Sequence, residues 1–217
     1  VVVGLAATFA SFQYGWAVGA INIPGATVAK DLQLQDGLHG YAWTTVVAIF
    51  SVGGLLGAQL AGPVVDRFGR VVFLRWSSLL FIAVGFMQLG AGYLAHKDPK
   101  TAFGLMVTSR VLTGIGSGAG SVVCPMYLSE IAPTKFRGMF GATNQLVLTS
   151  GILAANLASN WMHSSAQLWA WLFSISGWLG VVQLVASFLL VESPRWLISK
   201  GDLTSAIVAL RKLRLGA

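Results

Sequence analysis

Charge is what this sequence has least of. Of its 217 residues only 10% are charged, and the acids number 7. Ordinary soluble domains carry roughly 25% charged residues. So thin a supply cannot coat a globule with polar groups, which excludes a conventional water-soluble fold and makes lipid the expected solvent. Cysteine is equally scarce. The single Cys124 rules out a disulfide within the chain, and in its apolar run it reads as a small buried thiol. The three histidines, His39, His96 and His163, are scattered without ligand spacing and read as solvated residues, so no metal site is expected. No nucleophile–base set or phosphate loop stands out, which argues against an enzyme, and no cofactor is expected.

Hydrophobic residues fill the space that charge leaves, at 55% of the chain with a mean hydropathy of +0.74. Six apolar segments run over 1–24, 42–65, 71–95, 102–128, 139–161 and 167–191. Each has about the 20 residues a helix needs to cross a bilayer core. Barrel strands would alternate in polarity over about ten residues, and these segments do not. The first segment lacks a basic leader and an initiator Met and carries polar residues mid-span. It therefore reads as a span rather than a cleaved signal, and the chain as a piece of a longer protein.

The net charge of +7 is explained by topology, so nucleic acid is not an expected partner. Ten Lys and Arg fall in the loops after segments two, four and six, and three in the loops after segments one, three and five. The positive-inside rule places the ten-charge side, and with it both chain ends, in the cytoplasm.

Polar residues inside the spans narrow the reading. Gln13, Asn22, Asn144, Gln145, Asn156 and Gln183 are amides at membrane depth, where each is either glue between helices or a ligand contact. Gln145 stands apart because Leu148, Thr149 and Ile152 follow at helical spacing and share its face. One amide on a mixed face suits a neutral, hydroxyl-rich ligand, since it can both donate and accept without net charge. Arg110 lies about eight residues inside segment four, a long way to snorkel at ~1.5 Å per residue. It is expected to anchor on polar groups or carbonyls of a neighbouring helix. Small residues at spacing four, Gly53, Gly57 and Ala61, and the alternating Gly114, Gly116, Gly118 and Gly120, predict close helix packing. The second run imitates part of a dinucleotide fingerprint but has no preceding strand.

The basic-side turns carry a recurring pattern. Asp66, Arg67 and Arg70 follow segment two, Glu130 and Arg137 follow segment four, and Glu192 and Arg195 follow segment six. Positive-inside flanking alone would not ask for the acids. The repetition predicts three clasps of ion pairs that tie helix ends in one conformation and part in another.

Taken in order, these stretches resemble the N-terminal half of a sugar porter of the major facilitator superfamily, closest to the facilitative glucose transporters. The resemblance rests on Gln13-Tyr14-Gly15 through Pro24, Val47 to Gly54, Asp66-Arg67-Phe68-Gly69-Arg70, Pro125 to Gly138, Asn144-Gln145-Leu146 with Gly151-Ile152-Leu153, and Glu192-Ser193-Pro194-Arg195-Trp196-Leu197. Two positions depart from the pattern: Val71 stands where a second base is usual, and Val191 where a proline is usual. The resemblance implies an all-α membrane protein, with six transmembrane helices forming the N-terminal half of the fold. Residues 1–191 would be the bundle and 192–217 the start of a cytoplasmic helical linker, with a short amphipathic helix over 204–215. It implies hexose movement by alternating access in the plasma membrane. The implied partners are a sugar, the bilayer and a missing C-terminal six-helix half. Gln145, Leu148, Ile152 and Tyr14 would contact the sugar. Asp66, Arg67, Arg70, Glu130, Arg137, Glu192 and Arg195 would form the gating network that steadies the outward-facing state. Proton-coupled relatives carry an Asp where this chain has Ala17, which points to facilitative transport. A proton symporter, or a sugar sensor on the same fold, is the alternative.

Overall fold

The computed structural model describes residues 2–22, 25–32, 39–162 and 168–215. Pro24 of the first signature and His163 lie outside the described residues. The helices are α1 (Val2–Gly19), α2 (Gly25–Asp31), α3 (His39–Phe68), α4 (Arg70–Leu94), α5 (Pro99–Ile131), α6 (Arg137–Met162), α7 (Leu168–Ser187), α8 (Pro194–Ser199) and α9 (Leu203–Leu215), with a 3-10 turn at Thr134–Phe136. Among the described residues there is no strand. The six long helices are the six expected spans.

By length and composition α3 from Tyr41, α4, α5 and α7 are apolar enough to cross a membrane. α1 and α6 are not among these, and they hold most of the intramembrane amides. α5 has 33 residues, or about 50 Å at ~1.5 Å each, against a hydrocarbon core of about 30 Å. Its ends, and those of α3, therefore project beyond the apolar layer and carry the charges out of it. Asp98 caps α5 by accepting from the Thr101 amide, with Pro99 in the first turn where its missing N–H costs nothing.

The long helices pack mainly as α1 with α6, α3 with α5, and α4 with α7. Glycine sets each crossing. A Cβ at Gly15 would collide with the Leu148 carbonyl, and one at Gly151 with the Phe12 carbonyl. α5 and α3 repeat this arrangement: Gly114 faces the Phe50 carbonyl and Gly53 the Val111 carbonyl. One turn on, Gly19 meets Ile152 and Gly118 meets Gly54. α1 thus maps onto α5 by a shift of 99 (15 to 114, 19 to 118), and α3 onto α6 by a shift of 98 (53 to 151, 54 to 152). Gly85 of α4 and Gly177 of α7 face each other across the third pair. The two halves of the bundle are three-helix repeats; an odd number of spans per repeat gives them inverted topology.

Apolar cores close the two ends. At one end Trp16, Val28, Leu32, Met106, Trp169 and Phe173 pack together, with α2 folded over the bundle and its Asp31 accepting from Trp169 Nε1 at 2.7 Å. At the basic end Ala7, Val71, Leu74, Cys124, Tyr127 and Leu128 do the same.

Candidate functional site

The charges of the basic end converge on one turn. α3 stops at Phe68, and Gly69 takes φ 98, a left-handed conformation that favours glycine. α4 then begins without a side-chain cap from Gly69, leaving its first amides without partners in the helix. Glu192, from the link after α7, supplies them. Its carboxylate accepts from the Arg70 amide at 2.9 Å and the Val71 amide at 3.0 Å, and from its own neighbour Ser193 at 3.0 Å. A carboxylate at a helix N-terminus also meets the positive end of the dipole. A Cβ at position 69 would lie 2.7 Å from Glu192 Oε2, so both conformation and space require glycine there.

Arg70 answers with its side chain. Nε and Nη2 donate to both oxygens of Glu130 at 3.1 and 3.0 Å, the bidentate fork that makes such pairs strong. Nη1 donates to the Val65 carbonyl at 3.3 Å. Asp66 pairs with Arg70 at 3.3 Å, but its side chain is 75% exposed, so water screens that arm. Trp196 Nε1 donates to the Asp66 carbonyl at 2.9 Å, and the Tyr127 hydroxyl donates to the Val191 carbonyl. The three clasps read from the sequence thus merge: the acids of the second and third close on the base of the first. Arg67, Arg137 and Arg195 are exposed and form no ion pair among the described residues; Arg67 lies 5.4 Å from the Phe68 ring centre. In the sequence Glu192 reads as an ion-pair partner and Trp196 only as part of a signature; the capping role of the first and the hydrogen bond of the second emerge from the structure.

Within the spans, the structure sorts the amides. Asn144 accepts from Ser11 Oγ at 2.6 Å and Cys124 Sγ at 3.1 Å, joining α6 to α1 and α5. Asn22 donates to Asn156 at 3.0 Å. Gln13 donates to the Ser176 carbonyl at 2.9 Å, and Ser176 donates to Gln88 at 3.1 Å. Gln183 donates to Leu74 O at 3.3 Å and Ser77 Oγ at 3.2 Å. These six amides, Gln88 included, hold helices together. Gln145 differs: it is exposed, and its side chain bonds to no other described residue. Thr149 shares its exposed face, with Leu148 and Ile152 half-buried beside it. Gly15 seats on Leu148, which sets Tyr14 at the same level, and the Tyr14 ring lies 6.4 Å from Phe50. Arg110 is 2% exposed; its Nη1 donates to the Ala17 carbonyl at 3.1 Å, and its guanidinium sits 4.6 Å from the Phe50 ring centre.

Comparison with known proteins places this arrangement. The family described as "Sugar (and other) transporter" matches residues 3–216. The chain belongs to that sugar transporter family. It is 34% identical over 222 residues to the human solute carrier family 2 facilitated glucose transporter member 5, covering 97% of the chain and 43% of the relative. With the glucose transporter GlcP of Staphylococcus epidermidis it shares 34% over 185 residues, 85% of the chain and 38% of the relative. The chain therefore spans less than half the length of the curated relatives it matches. Its fold is that of the major facilitator superfamily proton:xylose symporter XylE bound to 6-bromo-6-deoxy-D-glucose, at a TM-score of 0.87 and 24% identity, over 98% of this chain and 49% of that one. The chain is thus consistent with the N-terminal half of such a transporter fold.

Proposed function

We propose that the chain is the N-terminal half of a hexose transporter working by alternating access, with residues 1–191 as the bundle and 192–217 as the start of a cytoplasmic linker. The observation that carries the substrate reading is Gln145. It is an amide in the bundle of a sugar transporter family member, exposed on a mixed face, while its neighbour Asn144 is consumed in packing. An amide with unused donors and acceptors, flanked by Thr149 and two aliphatic residues, suits sugar hydroxyls and the apolar face of a pyranose ring. Leu148, Ile152 and Tyr14 would line that face. A second six-helix half would supply the facing wall. The protein would sit in the plasma membrane, with the basic end and both chain ends in the cytoplasm.

Transport would be facilitative. The position next to buried Arg110 that would hold a protonatable acid is Ala17, which offers the arginine its backbone carbonyl instead. An alanine binds no proton at any pH. Labelled hexose uptake in transporter-deficient cells tests both parts. Gln145→Ala is expected to raise KM about tenfold with surface expression intact, a loss of about 1.4 kcal/mol. Unchanged kinetics in that variant would remove Gln145 from the site, and uptake abolished by an uncoupler would replace facilitation with proton symport.

A further inference from the structure

Three contacts climb the crossing of α1 and α6 toward the end opposite the basic one. Gly15 seats on Leu148, Gly19 on Ile152, and one turn further Asn22 Nδ2 donates to Asn156 Oδ1 at 3.0 Å. The other amide contacts between helices are buried or partly buried, whereas this one is exposed. The bond spends one donor and one acceptor of the pair. The Asn22 carbonyl oxygen and the Asn156 amino group keep their capacity to bond elsewhere.

Packing does not ask for this pair, and the chain carries its own control. Under the shifts that relate the two repeats, Asn22 corresponds to Ser121 and Asn156 to Ala58. There the same crossing closes with an alanine and with a serine whose hydroxyl donates back to Gly118 of its own helix at 2.7 Å. The scaffold is therefore complete without an amide bond at this level, and the pair on α1 and α6 answers to something other than packing.

Position narrows what that is. Asn156 lies three turns beyond Gln145 on α6, so the two amides share one face, with Ile152 between them. Three turns are ~16 Å, further than one hexose ring can span, so the pair is a station of its own. A donor and an acceptor held side by side match neighbouring hydroxyls of a sugar, one accepting and the other donating. Neither amide carries charge, so the pair offers an ion no counter-charge.

We propose that Asn22 and Asn156 form an outer hexose subsite, which holds the sugar by its hydroxyls on the way to Gln145. The proposal rests on the hexose transporter reading above and on its orientation, with the basic end cytoplasmic. It adds a second station to the α6 face, nearer the outside. Binding there is weak, since amides open to water gain little net from each hydrogen bond.

Saturation-transfer difference NMR reads such weak contacts on the full-length transporter in nanodiscs, with empty nanodiscs subtracted. The probe is whichever of D-glucose and D-fructose the transporter takes up better. Gln145→Ala weakens the inner station and leaves the outer one to carry the remaining signal. That signal should persist in Gln145→Ala and titrate about fivefold weaker when Asn156→Ala is added, the loss of one hydrogen bond. Asn22→Ala changes an exposed residue just beyond α1; it should do the same, and it keeps the test independent of how well the Asn156 variant folds. Asn156→Gln should recover part of the contact. A pair that merely joins α1 to α6 would lower the melting temperature of these variants without moving the sugar titration, and that result overturns the proposal. So does a Gln145→Ala variant with no remaining signal: the hexose site would stand, and the amide pair would be left to meet the second half of the transporter. A wild type that gives no signal with either sugar overturns the subsite and the hexose reading together.

Discussion

The Arg70–Glu130 fork should reveal itself in a double-mutant cycle. Its side chains are 8% and 10% exposed, and two parallel hydrogen bonds join them. At an effective dielectric near 20, unit charges about 4 Å apart interact by about 4 kcal/mol, before desolvation is subtracted. Removing one partner of a buried pair costs about 3–5 kcal/mol, because the survivor is left buried and uncompensated. Some water reaches this pair, so the lower end applies, about 3 kcal/mol for Arg70→Gln or Glu130→Gln. The double variant leaves no orphaned charge between these two positions. It should therefore lose about 4 kcal/mol rather than the additive 6, a coupling of about 2 kcal/mol. For a protein of this size each kcal/mol shifts Tm by roughly 2–4 °C. Thermal unfolding in detergent, followed by tryptophan fluorescence, should show each single variant melting about 6–12 °C lower. The double should melt only slightly below the worse single. Strict additivity would mean that the fork contributes no mutual energy, and the merged cluster would be a coincidence of position.

Other outcomes follow from the same geometry. Gly69→Ala forces φ 98 on a residue with a Cβ and pushes that Cβ to 2.7 Å from Glu192 Oε2; the conformation alone costs about 1–2 kcal/mol. Its Tm should fall by several degrees, and a melt matching wild type would refute the account of the turn. Asp98 has its carboxyl held below the usual carboxylate range by the Thr101 hydroxyl and amide. A depressed folded pKa gives stability that is present above the unfolded value and lost as pH falls through the folded one. Melts below about pH 4 should therefore lose the contribution of this cap, and Asp98→Ala should flatten that acid limb slightly. An unaltered limb would show that the cap is silent.

The fold was legible in the sequence because hydrophobic runs report lipid directly. Each of the six long helices falls on a segment marked by apolarity alone, and the amphipathic stretch over 204–215 became α9, which begins at Leu203. The short α2 went unmarked, since seven residues between Gly25 and Asp31 carry no span-length signal. Convergence was harder. Arg70 meets Glu130 across 60 positions and Glu192 across 122, and a local pattern of acid then base could suggest only local pairs. Asn144 and Gln145 illustrate a finer limit. Adjacent on a helix, they point about 100° apart, and the sequence does not say which one faces α1. Only the Gly15 and Gly151 crossing settles the rotation: it turns the half-buried Asn144 onto Ser11 and Cys124 and leaves Gln145 exposed.

The repeat bears on the role proposed for Gln145. Under the shift of 98, Gly151 corresponds to Gly53, Leu148 to Phe50 and Gln145 to Val47. Glycines and facing carbonyls recur at both crossings because close approach of two backbones leaves no alternative to a missing side chain. Packing therefore obeys the inverted symmetry. The amide does not recur: its counterpart is a valine, 39% exposed, on a helix apolar enough to lie in lipid. α6 gave up that apolarity, with Gln145, Thr149 and Ser150 exposed on it. Such a face is costly against hydrocarbon and inexpensive against water or a ligand rich in hydroxyls. A two-fold scaffold that carries its polar opening on one copy alone fits a site for an asymmetric molecule, and it favours α6 over α3 as the wall of the proposed sugar site.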